Sequence, residues 1–299
     1  MKCILVFNPK AANGRAKKLI DPIITHLKTN AIDPILIKTE YKGHAEQILS
    51  ETDLSQYNAV AIAGGDGSLF EAVNGLMKNK SSVKIPLGII PVGTGNAFAK
   101  DLMLDTNQWK QALDYIIAGR TRPVDLGYCQ MKHQSFYFAN IVGLGFVSDV
   151  NATAQNLKFL GNIAYTLGVF KELIRLKPTQ TKITANGMSS ESPMIFVEIS
   201  NTRYTSNFLM APEASLDDGK LDITVLKPMS RMKLIRSFPK IFTGEHVHLD
   251  EVDSFQTDYL EIETEVAKVL TPDGELIGST PVKISCVPRA LEVFCSDHH

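Results

Sequence analysis

The sequence predicts an α/β N-terminal part followed by a β-rich, sandwich-like C-terminal part. Two observations carry this prediction. Residues 1–123 alternate short apolar runs with stretches whose apolar residues recur at helical spacing, which is the α/β pattern. Beyond Arg122-Pro123, short strand-like runs dominate, separated by turn signals such as Asn186-Gly187, Asp218-Gly219 and Asp273-Gly274. The expected domains are 1–123 and 124–299, with the active cleft between them.

In chain order, residues 3–7 form a buried strand that ends in the loop Asn8-Pro9-Lys10-Ala11-Ala12-Asn13-Gly14. Leu19, Ile23, Ile24 and Leu27 place a helix in 15–30, and Pro22 delays or kinks it. A strand at 34–38 and a helix at 44–50 follow. Residues 59–63 are the next strand, running into Gly64-Gly65-Asp66-Gly67 and a helix at 68–77. A strand at 87–92 then meets Gly93-Thr94-Gly95-Asn96, and a helix at 109–118 closes this part. In the second part strands are expected at 135–141, 182–186, 194–200, 221–226, 259–264, 282–287 and 291–294, with helical inserts at 149–175 and 229–243.

Composition removes several function classes. The 299 residues carry 31 Lys plus Arg against 32 Asp plus Glu, a net charge of −1 that argues against a nucleic-acid-coating protein. The four cysteines make no paired spacing, so a reducing, cytoplasmic setting is expected and neither a disulfide framework nor a zinc site is. The histidines form no metal-ligand spacing. No apolar run approaches the ~20 residues needed to span a bilayer, so membrane contact would be peripheral.

Chemistry concentrates in the glycine-rich turns. A strand, a Gly-rich turn and a helix start bring bare backbone and unpaired N–H groups to a phosphate. Asp66 inside such a turn repels phosphate unless it holds a cation or takes a proton from an attacking hydroxyl; otherwise it caps a helix. The turns at 8–14, 64–67 and 93–96 follow three strands of one sheet, where open α/β sheets bind ligands. No GxxxxGK[ST] occurs, which excludes a P-loop.

These residues resemble the diacylglycerol kinase catalytic domain. The resemblance rests on Asn8-Pro-x-x-x-x-Gly14, Thr39-Glu-x-x-x-His44-Ala45, Gly64-Gly-Asp-Gly-x-x-x-Glu71-x-x-Asn74-Gly75 and Gly93-Thr-Gly-Asn96. It continues through 140–150, Leu216-Asp-Asp-Gly-Lys-Leu-Asp222 and Asp273-Gly-Glu275, and so spans nearly the whole chain. It implies an ATP-dependent, Mg²⁺-assisted lipid kinase with an N-terminal nucleotide-binding domain and a C-terminal lipid-binding domain, the last strand returning toward the first domain. Asn8, Pro9, Lys10, Ala11, Ala12, Thr39, Gly65, Gly67, Ser68, Glu71, Gly93, Thr94, Gly95 and Asn96 would then surround the nucleotide. Asp66 would act near the phosphates, and Asp273 with Glu275 would activate the lipid hydroxyl. Asp218, with backbone oxygens of Ser215 and Lys220, matches a Mg²⁺ site, and Asp149 and Asn151 fall where the lipid head would bind.

Departures from the family pattern leave the lipid open between diacylglycerol and a sphingoid. Asn96-Ala97 with Lys100 stands where bacterial diacylglycerol kinases carry Asn-Asp and a later Arg, and resembles sphingosine kinases instead. Asn151 lacks the charge that would pair with an amino-alcohol head. Ala11-Ala12 replaces a frequent Gly-Gly, so the backbone there must accept a Cβ. Two other readings are a metabolite kinase of the NAD-kinase type, against which stands the absence of an Asn-Glu dipeptide, and a weakly catalytic lipid-binding relative. Independently of the family, 227–242 interleaves Lys227, Arg231, Lys233, Arg236 and Lys240 with Met229, Met232, Leu234, Ile235, Phe238, Ile241 and Phe242. That pattern fits either contact with an anionic bilayer on the inner membrane face or a surface helix with its apolar side in the core. A homodimer is a further partner left open by the sequence.

Overall fold

The computed structural model describes residues 1–81, 83–145 and 177–296. The chain divides into two compact units: Met1–Leu126 with Val287–His299, and Gly127–Cys286. The expected pairing of fold types is found, with an α/β first unit and a β-rich second one.

In the first unit β1 (Lys2–Phe7), β2 (Asp33–Lys38), β3 (Ala59–Gly64) and β4 (Leu87–Pro91) are parallel, in the order β2-β1-β3-β4. Every residue of β3 and β4 is buried, as is expected of parallel strands covered on both faces. The helices are α1 (Ile20–Thr29), α2 (His44–Glu51), α3 (Asp66–Lys78), α4 (Ala97–Asp101) and α5 (Trp109–Ala118). The chain leaves β1 for β2 on one side and leaves β3 for β4 on the other, so the sheet changes direction between β1 and β3.

Helix α1 starts later than its apolar pattern alone suggests. Residues Ala11–Leu19 form a 3-10 segment interrupted by left-handed Ala12, Asn13 and Gly14 (φ 49°, 57° and 82°). Pro22 then lies in the first turn of α1, where its missing N–H costs nothing. Helix α3 starts earlier than expected, because Asp66 and Gly67 belong to its first turn.

The strands that follow are β5 (Thr121–Gln130), β6 (Ser135–Phe138), β7 (Ile141–Gly145), β8 (Thr179–Ala185), β9 (Met188–Met194), β10 (Phe196–Ser200), β11 (Tyr204–Thr205), β12 (Phe208–Leu209), β13 (Leu221–Leu226), β14 (Val252–Thr257), β15 (Tyr259–Thr264), β16 (Leu270–Pro272) and β17 (Val282–Phe294). In the second unit an antiparallel five-stranded sheet runs β14-β13-β10-β7-β16. One of its faces is apolar through Val142, Leu144, Val197, Ile199, Ile223 and Val225, all buried. On the other face the register puts Thr271, Gly143, Glu198 and Thr224 in one row. Thr271, Glu198 and Thr224 are buried despite their polarity. Strands β8, β9 and β15 pair with one another in sequence, and β15 also pairs with the first half of β17. The second half of β17 lies in the first unit, where Val293 pairs parallel with Leu87 of β4.

Several elements differ from the sequence expectation. The run at 135–141 stops as a strand at Phe138, because the backbone at 139–141 turns its N–H groups to Asp273, and β7 starts anew at Ile141 and continues to Gly145. The two runs at 282–287 and 291–294 are one strand, which passes through Arg289 at φ 51°. Strands β5, β9, β11, β12, β14 and β16 were not expected. The insert at 229–243 is α6 (Arg231–Ser237) followed by a 3-10 turn, Phe238–Phe242, with Pro239 ending the α-helical ladder. The insert expected at 149–175 lies outside the described residues. Among the described residues no helix is long and apolar enough to cross a membrane.

Candidate active site

The loops after β1 and β3 are tied to one another. Asn8 donates from Nδ2 to Ser68 Oγ at 3.0 Å, and its Oδ1 accepts the Lys10 N–H at 2.9 Å. The Asn8 N–H continues the β ladder to the carbonyl of Ala63. Lys10 reaches across to the carbonyl of Glu40 at 2.8 Å, while the Thr39 N–H bonds the carbonyl of Phe7. Left-handed geometry at Ala12 is costly for a residue with a Cβ, about 1–2 kcal/mol. The requirement raised by Ala11-Ala12 is therefore met with strain at the second alanine.

The loops after β3 and β4 touch backbone to backbone. A Cβ on Gly93 would stand 2.4 Å from the Cα of Gly65, closer than any real contact, so this approach requires glycine. The N–H groups of Val92 and Gly93 both bond the carbonyl of Gly64. Asn96, left-handed at φ 51° and buried, closes its own turn: its Oδ1 accepts from Gly93 N–H and its Nδ2 donates to Gly93 O. The same Nδ2 also reaches Thr106 Oγ1 at 3.5 Å, so the amide is committed to the protein, whereas Thr94 is exposed at the tip.

Asp66 sits where these turns meet. Its Oδ1 accepts the Ala97 N–H at 2.7 Å, so it caps α4 rather than its own helix. Burial raises its pKa above the usual carboxylate value, opposed by the N–H groups of Ala97, Phe98 and Asn96 and by the charge of Lys100. The reciprocal effect on Lys100 is smaller than the effect of its own burial, which lowers its pKa. A cavity of about 10 Å³ behind Asp66, lined among others by Ile62, Leu69, Asn96 and Phe98, has room for a single water.

Glu71, one of the expected nucleotide contacts, is on α3, and its two oxygens accept the N–H groups of Gly43 (2.7 Å) and Ala45 (3.1 Å). It thereby fixes the first turn of α2 and the loop after β2. The structure brings the residues at 8–12, Thr39, Gly65, Gly67, Ser68, Glu71 and the 93–96 turn to the carboxyl ends of one parallel sheet. The first turn of α3 there offers the N–H groups and positive dipole end that suit a phosphate.

The two carboxylates of the acidic pair in the second unit have different surroundings. Asp273, buried and left-handed at φ 46°, accepts three backbone N–H groups: Asn140 and Ile141 on Oδ1 (3.1 and 3.0 Å) and Ala139 on Oδ2 (3.2 Å). Its carboxylate brackets the start of β7. Glu275 is only half-buried, and its N–H turns back to the carbonyl of Pro272. Beside this bracket, the Asn140 side chain is buried with neither polar atom hydrogen-bonded, as is Thr271 Oγ1. Asn140 opens the 140–150 stretch of the resemblance, but no role could be read for it, and Thr271 lies in β16, a strand the sequence did not announce. Glu198 was also missed. It is buried on β10, accepts from Thr205 Oγ1 at 2.6 Å, and burial pushes its pKa up to about 7.

Asp218 accepts the Lys220 N–H at 3.0 Å and the Gln256 amide at 3.3 Å, and Ser215 bonds Asp217. Gln256 also bridges to Asp222, whose pKa is pushed up to about 6, first by burial and then by the charges of Asp218 and Glu213. A carboxylate whose pKa is raised by burial and neighbouring acidic groups fits a hard divalent cation. No group of three Asp, Glu, His or Cys side chains is poised for a metal among the described residues. A Mg²⁺ held here would therefore depend on Asp218, carbonyl oxygens such as those of Ser215 and Lys220, and water. Asp149 and Asn151, the expected head-group residues, lie outside the described residues.

Comparison with known proteins matches residues 2–129 to the diacylglycerol kinase catalytic domain and 140–295 to the YegS C-terminal NAD kinase beta sandwich-like domain. A diacylglycerol kinase of Mycobacterium tuberculosis is 34% identical over 99% of this chain and 96% of its own length. Sphingosine kinase 1 of Arabidopsis thaliana is 24% identical over 97% of this chain and 71% of its own. A solved Bacillus anthracis structure described as a diacylglycerol kinase superposes with a TM-score of 0.82 at 27% identity, covering 99% of this chain and 97% of the other. With its glycine turns, its bracketed Asp-Gly-Glu and a match along its full length, the chain belongs to the diacylglycerol kinase family of lipid kinases.

Proposed function

We propose that this kinase transfers the γ-phosphoryl group of ATP to a hydroxyl of a neutral membrane lipid of the diacylglycerol type. The observation that carries the reading is Asp66, a carboxylate held half-buried by the start of α4 where two glycine turns meet. Such a group is costly in a plain turn, and phosphoryl transfer is a chemistry that needs it.

The first turn of α3 and the bare backbone at Gly65 and Gly67 bind the phosphates, with Ser68 held by Asn8 so that the turn stays open. Asp66 would supply a hard oxygen donor to a Mg²⁺ at the phosphates, where the ion would neutralise charge, and Asp218 would hold a separate Mg²⁺ within the second unit. In the second unit Glu275 takes the proton of the lipid hydroxyl. That oxygen forms its bond to the γ-phosphorus as the bond to the β,γ-bridging oxygen breaks, and ADP leaves. Asp273, occupied by backbone N–H groups, positions this segment rather than accepting the proton. The unpaired amide of Asn140 offers a place for a water or a hydroxyl beside it.

A sphingoid substrate is the second reading, favoured by Asn96-Ala97. The test is product analysis from labelled ATP with diacylglycerol, sphingosine and NAD supplied separately. Label in phosphatidic acid supports the reading; label only in a sphingoid phosphate or in NADP refutes the substrate assignment. Asp66→Asn keeps an acceptor for the Ala97 N–H but loses the charge. It is expected to stay folded and to lose on the order of 10²–10⁴-fold in turnover. Turnover within a few-fold of the parent would remove Asp66 from the chemistry.

A further inference from the structure

Helix α6 has apolar residues at helical spacing, yet none of its residues is buried. Met232 is 58% exposed and Ile235 40%, one turn apart on one face, and Phe242 just beyond is 51% exposed. The apolar side is thus turned inward only in part, through the half-buried Leu234, Phe238 and Ile241. The patch is also held in place. Phe208, Phe238 and Phe242 meet edge to face with ring centres 5.1–6.1 Å apart, which fixes the 3-10 turn against β12.

The basic residues of this segment divide into two sets. Lys227 and Lys233 are pinned to Asp253 (2.7 Å) and Glu251 (2.6 Å). Arg231, Arg236 and Lys240 have no carboxylate within ion-pair distance among the described residues, and Arg231 and Arg236 are exposed beside Met232 and Ile235. The result is an exposed apolar strip flanked by three uncommitted cations.

We propose that Arg231–Phe242 is a docking surface for an anionic lipid bilayer, with Met232, Ile235 and Phe242 entering the interface and Arg231, Arg236 and Lys240 meeting the head groups. A second copy of the chain fits this face poorly, because a two-fold contact would set the three cations against their own counterparts. The inference does not depend on the proposed substrate, since docking needs neither ATP nor turnover.

The experiment is sedimentation of the full chain with phosphatidylcholine vesicles, with and without phosphatidylglycerol, in the absence of nucleotide. The parent should bind only the anionic vesicles, and salt should weaken it. Each cation contributes roughly fivefold, so Arg231→Gln/Arg236→Gln/Lys240→Gln should lower the partition coefficient on the order of 10²-fold. Lys28→Gln/Lys84→Gln/Lys110→Gln makes the same change of net charge on the first unit and should lose much less. Met232→Gln/Ile235→Gln should lose roughly tenfold or more, and this loss should persist in high salt. Equal losses in the two charge variants would reduce the effect to net charge and overturn the assignment. Undiminished binding by the Met232/Ile235 variant would do the same. So would a dimer in solution that this variant dissociates, which would give the face to a second copy.

Discussion

Replacing Glu198 by Gln should abolish a specific part of the pH dependence of stability. Glu198 is 1% exposed and faces Thr205 and Ser200, and burial pushes its pKa up to about 7 from an ordinary 4.5. A carboxyl whose folded pKa is raised binds more protons folded than unfolded between those values. Its contribution to stability is therefore complete below the unfolded pKa and is lost as pH rises through the folded one. A difference of about 2.5 pKa units corresponds to about 3 kcal/mol between low pH and about pH 8. Glutamine keeps an acceptor for Thr205 and carries no charge at any pH, so its packing cost is constant and cancels when two pH values are compared. Urea unfolding of both proteins at about pH 5 and about pH 8 should show the variant gaining some 2–3 kcal/mol on the parent between them. Parallel stability profiles would refute the reasoning, because they would mean that Glu198 is solvated or paired in the folded chain.

Three further outcomes follow from the geometry. Ala12→Gly should stabilise the chain by ~0.5–1 kcal/mol, the left-handed strain relieved less the extra entropy of glycine; chemical denaturation checks it, and a loss of stability would deny the strain. Gly93→Ala should cost ~1–3 kcal/mol or more, since its Cβ meets the backbone of Gly65, and a thermal melt matching the parent would show that the two turns separate freely. If Asp218 holds Mg²⁺, the ion should raise the melting temperature of the parent and not of Asp218→Ala, and equal shifts would remove the site.

The parallel sheet and its loops were legible in the sequence because each strand is a short apolar run ended by glycine or a polar turn residue. The limits lay where tertiary contacts override local pattern. Strand β5 contains Pro123 as its third residue, one that reads as a breaker but is tolerated near a strand's start. Strand β9, Met-Ser-Ser-Glu-Ser-Pro-Met, is an exposed edge with almost no apolar residue to announce it. The roles of single side chains were least legible. Nothing local says that Glu71 holds Gly43 and Ala45, or that Asp273 brackets residues over 130 positions earlier. Motif spacing identifies such residues as important, and only the fold shows whether a carboxylate faces a ligand or the backbone.

Strand β17 carries a consequence for how the molecule is made. Its first half pairs with β15 in the second unit, and its second half supplies Val293 to the edge of β4 in the first. During synthesis β1–β4 emerge from the ribosome early, but their sheet stays one neighbour short until some 200 residues later, after Leu87, have been translated. The second unit, continuous from Gly127 to Cys286, has all its strands available before the first can close. A vectorially made chain thus completes its interrupted unit last, leaving the apolar edge at Leu87 exposed to chaperones and to misassembly in the interval.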